Sequence, residues 1–276
     1  MNAARNLDML REVRARRRGP HEHRHLLARI ENHLEQHDGF VAWSGGKDST
    51  VVMHLARQID PNIPVVFYDS GLQFSENLRY IENLAASYRL NLQVIPAEPD
   101  LLTILIAVGG FDHRAPDREL GTSLAEILIS APAAVAHSRY GPGSLWGVRA
   151  AEAVARTRLY RANLAALSAE HPDRSRAQAR AQLGGIVRRA DGTTTYGPIW
   201  DWRRNHVFEY LAGVGLPPNP LYSRLAQLGA PAERIRVDSI IDAAKLSNGH
   251  IAWLQKGWPD LFDRLSQALP RLPEWT

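Results

Sequence analysis

The sequence predicts an α/β chain in which a doubly wound parallel sheet carries helical N- and C-terminal extensions. Three observations predict it. The apolar run Phe40-Val41-Ala42-Trp43 breaks at Ser44-Gly45-Gly46 and gives way to an amphipathic segment with Val51, Val52, Leu55 and Ile59, the pattern of strand, tight loop and helix. A second continuous apolar run, Val65-Val66-Phe67-Tyr68, follows Pro64 and suits a strand buried on both faces. A third strand at 92–95 follows a helical stretch, and strands that alternate with helices build parallel sheets with ligands at the strand C-termini.

In chain order, residues 1–37 read as a polar helical extension with Leu26, Leu27, Ile30 and Leu34 on one stripe. His21, His23 and His25 alternate and fall on different faces of such a helix, which argues against a metal site. The core spans 38–222. After its second strand, Ser75 caps a helix reaching to about Arg89. Residues 122–137 read as helix, 145–148 as a short strand, and 152–169 as helix before a polar stretch rich in Arg, Ala and Gln. Asp191-Gly192 marks a tight turn of the hairpin kind. Residues 203–212 are helical, and Pro217-Pro218-Asn219-Pro220 reads as an extended turn. Residues 223–276 read as short helices ending in a Pro-rich tail, with Ile240, Ile241, Leu254 and Leu261 available for burial or for a partner interface.

Composition excludes several chemistries. The 276 residues include no cysteine, which removes disulfides, thiolate metal sites, Fe–S clusters and any cysteine nucleophile. No apolar run approaches the ~18 residues of a membrane span. The N-terminal arginines, Arg14 and Arg16 to Arg18, lead into no apolar stretch of signal-peptide type, so a cytoplasmic location without membrane contact is expected. The net charge is +4 and uneven: nine arginines between Arg149 and Arg189 face only Glu152, Glu170 and Asp173. Such a stretch is either a solvated helix face or a surface for the phosphates of ATP or a polynucleotide.

The loop Ser44-Gly45-Gly46-Lys47-Asp48-Ser49 carries the chemistry. Glycines let a phosphate approach the backbone, and the start of a helix points N–H groups and a positive dipole end at it. Of 33 Lys+Arg only three are lysines, so Lys47 stands out in a chain that otherwise prefers arginine. A compact ammonium fits between phosphate oxygens where a planar guanidinium does not. This is not a Walker A loop: Val41 stands five before Gly46, and Asp48 follows Lys47.

The loop resembles the SGGxDS motif of the PP-loop superfamily, the adenine nucleotide alpha hydrolases. That resemblance implies a Rossmann-type α/β fold and cleavage of ATP between its α and β phosphates. It also implies nucleotide contacts from Ser44, Gly45, Gly46, Lys47, Ser49 and Thr50, with Lys47 catalytic and Asp48 orienting the loop or holding Mg2+.

Further stretches resemble the PAPS-reductase branch of that superfamily, and together the blocks cover residues 38–222. Tyr68-Asp69-Ser70-Gly71, with Phe74 and Glu76, matches its D-[TS]-G…F-x-E pattern and implies nucleotide contacts from Asp69, Ser70 and Gly71. Trp146-Gly147-Val148-Arg149-Ala150-Ala151-Glu152, with Arg156, matches G-x-R-x-x-E…R. There Arg149 is the catalytic candidate, for charge developing on departing pyrophosphate, and Arg156 a further nucleotide contact. Pro198-Ile199, Asp201-Trp202 and Asn219-Pro220-Leu221-Tyr222 match P-[IL]-x-D-W…N-P-L-Y, residues that pack the C-terminal part; Tyr222 is a second candidate for the ligand. The chain departs from the reductases in lacking the C-terminal cysteine that attacks sulfur, with Glu233-Arg234-Ile235-Arg236 downstream of Tyr222.

The expected function is therefore that of an ATP pyrophosphatase using ATP and Mg2+ to adenylate an acceptor. The resemblance extends to the ATP-pyrophosphatase component of DNA phosphorothioation systems, which implies DNA or another nucleic acid as partner. It also implies a sulfur-delivering protein, a cysteine desulfurase or sulfur carrier. The alternatives are an ATP-sulfurylase-like small subunit making adenylyl sulfate and a non-catalytic ATP-binding module.

Overall fold

The strand that feeds the glycine loop has parallel neighbours on both sides. The computed structural model describes residues 23–110, 118–232, 234–238, 240–241 and 249–276. Its strands are β1 (Gly39–Ala42), β2 (Pro64–Asp69), β3 (Asn91–Pro96), β4 (Gly143–Trp146), β5 (Ile186–Arg188) and β6 (Thr194–Tyr196). They form one sheet in the order β3-β2-β1-β4-β6-β5. β1 runs parallel to β2, with Val41 opposite Val65, and parallel to β4, with Ala42 opposite Trp146. β6 is parallel to β4, and β5 runs antiparallel to β6, in the hairpin that turns at Asp191-Gly192. The expected doubly wound α/β sheet is present. Burial on both faces explains the continuous apolar runs: Phe40, Val41, Val65 and Val66 are all fully buried.

The chain divides into two compact units. The first takes in the chain up to Phe67, then Ala85–Gln93 and Val135–Pro218. Numbering helices in chain order over both units, its helices are α1 (Arg24–Gln36), α2 (Lys47–Ala56), α5 (Ala131–Tyr140, of which the last six residues lie here), α6 (Val154–Ala169), α7 (Arg176–Leu183) and α8 (Arg204–Val214). α2 packs between α1 and α8, and nine of its ten residues are buried. Ile30 anchors the apolar stripe of α1, while His23 packs edge-on against Tyr210 and at a tilt against Trp202. Residues 1–22 of the expected N-terminal extension, His21 among them, lie outside the described residues, as does Glu233.

The second unit holds Tyr68–Leu84, Val94–Ala134 and Asn219–Thr276. α3 (Ser75–Tyr88) has its first ten residues here, with α4 (Leu101–Ala107), α9 (Pro220–Gln227), α10 (His250–Gly257) and α11 (Pro259–Ala268). Its core joins Leu72, Phe74, Leu101 and Leu105 to Leu221, Leu254, Phe262 and Leu265 of the C-terminal helices. Ile240, Ile241 and Leu254 are buried in it, and Leu261 and Tyr222 pack half-buried against it.

Local chemistry accounts for the differences from expectation. Pro220 opens α9 rather than prolonging a turn, because Asn219 caps the helix by accepting from Leu221 N–H at 3.0 Å. The polar Arg/Ala/Gln stretch is helix α7, started by the reciprocal capping of Ser175 and Gln178. The helix expected over 122–137 starts at Leu124, passes through a π turn, Glu126–Ser130, and continues as α5. α4, capped by Asp100, has no counterpart in the sequence expectations.

Candidate active site

After β1, Trp43 N–H still donates to Val66 O at 2.8 Å, and the chain then turns sharply. Gly45 takes φ +74°, a left-handed conformation that a side chain would strain. Gly46 is extended and caps α2. Ser49 closes the turn: its hydroxyl accepts from Ser44 N–H at 3.3 Å, lies 3.2 Å from the Ser44 hydroxyl, and donates to Gly46 O at 3.1 Å. The first turn of α2 thus faces the bend with its N–H groups and positive dipole end, an arrangement suited to an anion. Thr50 behaves differently from the expectation. It is fully buried, and its hydroxyl accepts from Trp43 Nε1 at 3.0 Å, so it braces the loop from the core instead of facing a ligand.

The charged residues of the two first-unit motifs form one chain. The Lys47 ammonium pairs with Oδ2 of Asp48, and Arg149 Nε donates to Oδ1 of the same carboxylate at 2.6 Å. Arg149 Nη2 donates to Glu152 Oε1 at 2.9 Å, and Arg156 Nη1 to Glu152 Oε2 at 2.6 Å. Lys47, Asp48 and Arg149 are each less than a tenth exposed, whereas Arg156 reaches solvent. Three cations against two carboxylates leave one net positive charge beside the loop. Burial pushes the Lys47 ammonium below the usual lysine range, and Asp48 opposes that shift. The surplus positive charge is carried by Arg156 at the exposed margin of the cluster.

Asp48 was expected to hold Mg2+ as an alternative to orienting the loop. Each of its oxygens already carries a cationic donor, and no group of three His, Asp or Glu suited to a metal occurs among the described residues. With both oxygens held by cations, Asp48 is placed to orient Lys47 and Arg149.

Two residues left without a role by the sequence complete the arrangement. A Cβ at Gly147 would lie 2.2 Å from Ser49 N and 2.3 Å from its Cα, so only glycine lets the loop after β4 lie against the first turn of α2. That contact delivers Arg149 to Asp48. Glu152 ends the 3-10 turn Ala150–Glu152 and accepts from both Arg149 and Arg156, which fixes the guanidinium plane of Arg149. The G-x-R-x-x-E spacing was the signal for both.

Asp69, Ser70 and Gly71 form a turn in the second unit. Gly71 N–H donates to Asp69 Oδ1 at 2.9 Å, and Ser70 Oγ accepts from Leu72 N–H at 3.3 Å. Nearby in that unit the buried Asn219 donates to Asn77 Oδ1 at 2.7 Å, and Glu76 accepts from Trp258 Nε1 at 2.8 Å and pairs with Arg224. The F-x-E and N-P-L-Y motifs therefore serve to join the C-terminal helices to α3.

The chain is similar to the adenosine 5'-phosphosulfate reductase of Mesorhizobium japonicum, with 37% identity over 83 residues, 29% of this chain and 33% of that one. It is similar to the phosphoadenosine 5'-phosphosulfate reductase of Serratia proteamaculans, with 43% identity over 72 residues, 25% and 30% of the two chains. The matches thus span about a third of the length of these curated relatives. Among solved structures it is similar to the phosphoadenylyl-sulfate reductase of Candida auris, at 14% identity and a TM-score of 0.48 over 87% of this chain and 96% of that one. No helix among the described residues is long and apolar enough to cross a membrane. The family model described as the phosphoadenosine phosphosulfate reductase domain matches residues 39–229, which take in the glycine loop, Arg149 and every strand of the sheet, and the chain belongs to that family.

Proposed function

We propose that the chain is an ATP pyrophosphatase that activates an acceptor by adenylation. The observation that carries this reading is the buried Lys47–Asp48–Arg149 cluster beside the glycine bend. In the proposed step an acceptor oxygen bonds to the α-phosphorus of ATP. The bond from that phosphorus to the α–β bridging oxygen breaks, and pyrophosphate leaves with the electron pair. Ser44, Gly45, Gly46 and Ser49 cradle the phosphates, and Lys47 and Arg149 stabilise the charge developing on the leaving group. Asp48 and Glu152 hold those cations in place, and Arg156 lies at the exposed margin. The protein supplies no nucleophile and needs none.

The acceptor proposed is the phosphate backbone of DNA, with sulfur delivered afterwards by a cysteine desulfurase or sulfur carrier. Two features support it. The chain has no cysteine, so it carries no thiolate to attack sulfur or to ferry it. It is also basic, with its positive charge concentrated between Arg149 and Arg189.

The test is product identification after incubating the protein with α-labelled ATP and Mg2+, alone, with duplex DNA and with sulfate. AMP and pyrophosphate support the reading, with DNA stimulating their release. ADP and inorganic phosphate, or an unchanged nucleotide in every mixture, overturn it. Pyrophosphate release that depends on sulfate reassigns the acceptor to sulfate.

A further inference from the structure

We infer that the exposed arginines of α6, α7 and the end of β5 form the docking surface for a duplex DNA backbone, an inference that rests on the proposed reading for its acceptor. α6 packs against both α7 and β5 within the first unit. Arg158 and Arg161 on α6, Arg176 on α7 and Arg189 after β5 are exposed and make no ion pair among the described residues.

The acidic side chains nearby are already engaged. Glu152 holds Arg149 and Arg156, Glu170 pairs with Arg188 at 2.8 Å, and Asp201 pairs with Arg180 at 3.0 Å. Asp191 is occupied by its own turn, accepting from Thr193 N–H and Thr193 Oγ1. Among the described residues of this stretch, Asp173 and Asp191, the latter beside Arg189, are left to offset the four arginines, so positive charge remains in excess. An exposed cationic surface of this kind gains by releasing counterions from a polyphosphate.

Two features select the duplex backbone. The surface leads into the candidate site, because α6 follows directly on the Ala150–Glu152 turn behind Arg149. A strand docked along α6 therefore runs toward the proposed adenylation centre. The aromatic rings beneath it, Tyr160 and Trp200, are buried against each other, so the surface offers no stacking platform of the sort that single strands use. Arginine side chains alone suit phosphates, which position a duplex without reading it.

The experiment compares the wild-type chain with the variant Arg158→Gln/Arg161→Gln/Arg176→Gln/Arg189→Gln. Binding to a labelled duplex is followed by anisotropy over a salt series, with pyrophosphate release from ATP measured separately, without DNA and with it. The variant is expected to bind at least 10-fold more weakly at low salt, with the salt slope reduced by about 1 for each phosphate that is no longer neutralised. Its ATP turnover without DNA is expected to match wild type. Unchanged affinity and slope overturn the inference, as does competition by polyglutamate equal to that of duplex DNA, or tighter binding of single strands. Absence of AMP from both proteins, with duplex DNA as well as without it and with the binding difference intact, overturns the pyrophosphatase reading and leaves the surface standing.

Discussion

Arg149 Nε donates to Asp48 Oδ1 at 2.6 Å across 101 positions of sequence, and through Asp48 it is coupled to Lys47. Its Nη2 is held at the same time by Glu152. A planar guanidinium reaches two carboxylates at a fixed angle, and an ammonium does not. Arg149→Lys is therefore expected to lower pyrophosphate release about as far as Arg149→Ala does, by roughly 100-fold in kcat. Steady-state assays of the two variants decide it; a lysine variant with near wild-type kcat would show that charge alone matters at this position.

Lys47→Ala leaves Asp48 paired with Arg149, so no carboxylate is stranded in the interior. The fold is expected to survive, with circular dichroism and Tm close to wild type. Pyrophosphate release is expected to fall by about 100-fold or more, because a cation aimed at developing charge has been removed from a water-poor site. A folded variant that turns over ATP at the wild-type rate removes Lys47 from the chemistry.

How far this was legible in the sequence depends on the range of each interaction. The glycine bend was readable because Phe40 to Val52 carry strand, bend and helix within a single local pattern. The pairing of Asp48 with Arg149 was not, since it follows from β4 lying beside β1, and strand order leaves no mark in periodicity. Thr50 matched the loop motif, yet its place on the buried helix turns it toward Trp43. Ser175 and Gln178 spell a capping box at the start of α7, and the surrounding run of Arg, Ala and Gln hid it behind its polarity. The G-x-R-x-x-E spacing picked out Gly147, but the tightness there arises only where another backbone crosses it.

That crossing makes a second kind of test. A methyl group at Gly147 would meet backbone atoms of Ser49, and backbone moves less readily than a side-chain tip. Gly147→Ala is expected to cost on the order of 1–3 kcal/mol through overpacking. For a chain of this size that lowers Tm by roughly 2–10 °C. Because the strain falls on the first turn of α2, ATP binding is expected to weaken as well. Calorimetry with and without ATP measures both; wild-type Tm and affinity together would show that the loop after β4 does not press on α2.

His33 supplies a pH dependence independent of the site. Its ring packs against Tyr196 and His37, and Nε2 is buried without a partner among the described residues. Burial, reinforced by the neighbouring His37 and Arg29, pushes the imidazole down to about 4 from the usual 6.5. Between those values the unfolded chain binds a proton that the folded chain refuses, so acid favours unfolding. Stability is expected to be intact above pH 6.5 and to fall by about 3 kcal/mol as the pH drops to 4. Urea unfolding at pH 6.5 and at 4.5 should show this loss in wild type and a smaller one in His33→Leu, which has no proton to bind. Equal losses in the two proteins would place the acid sensitivity elsewhere in the chain.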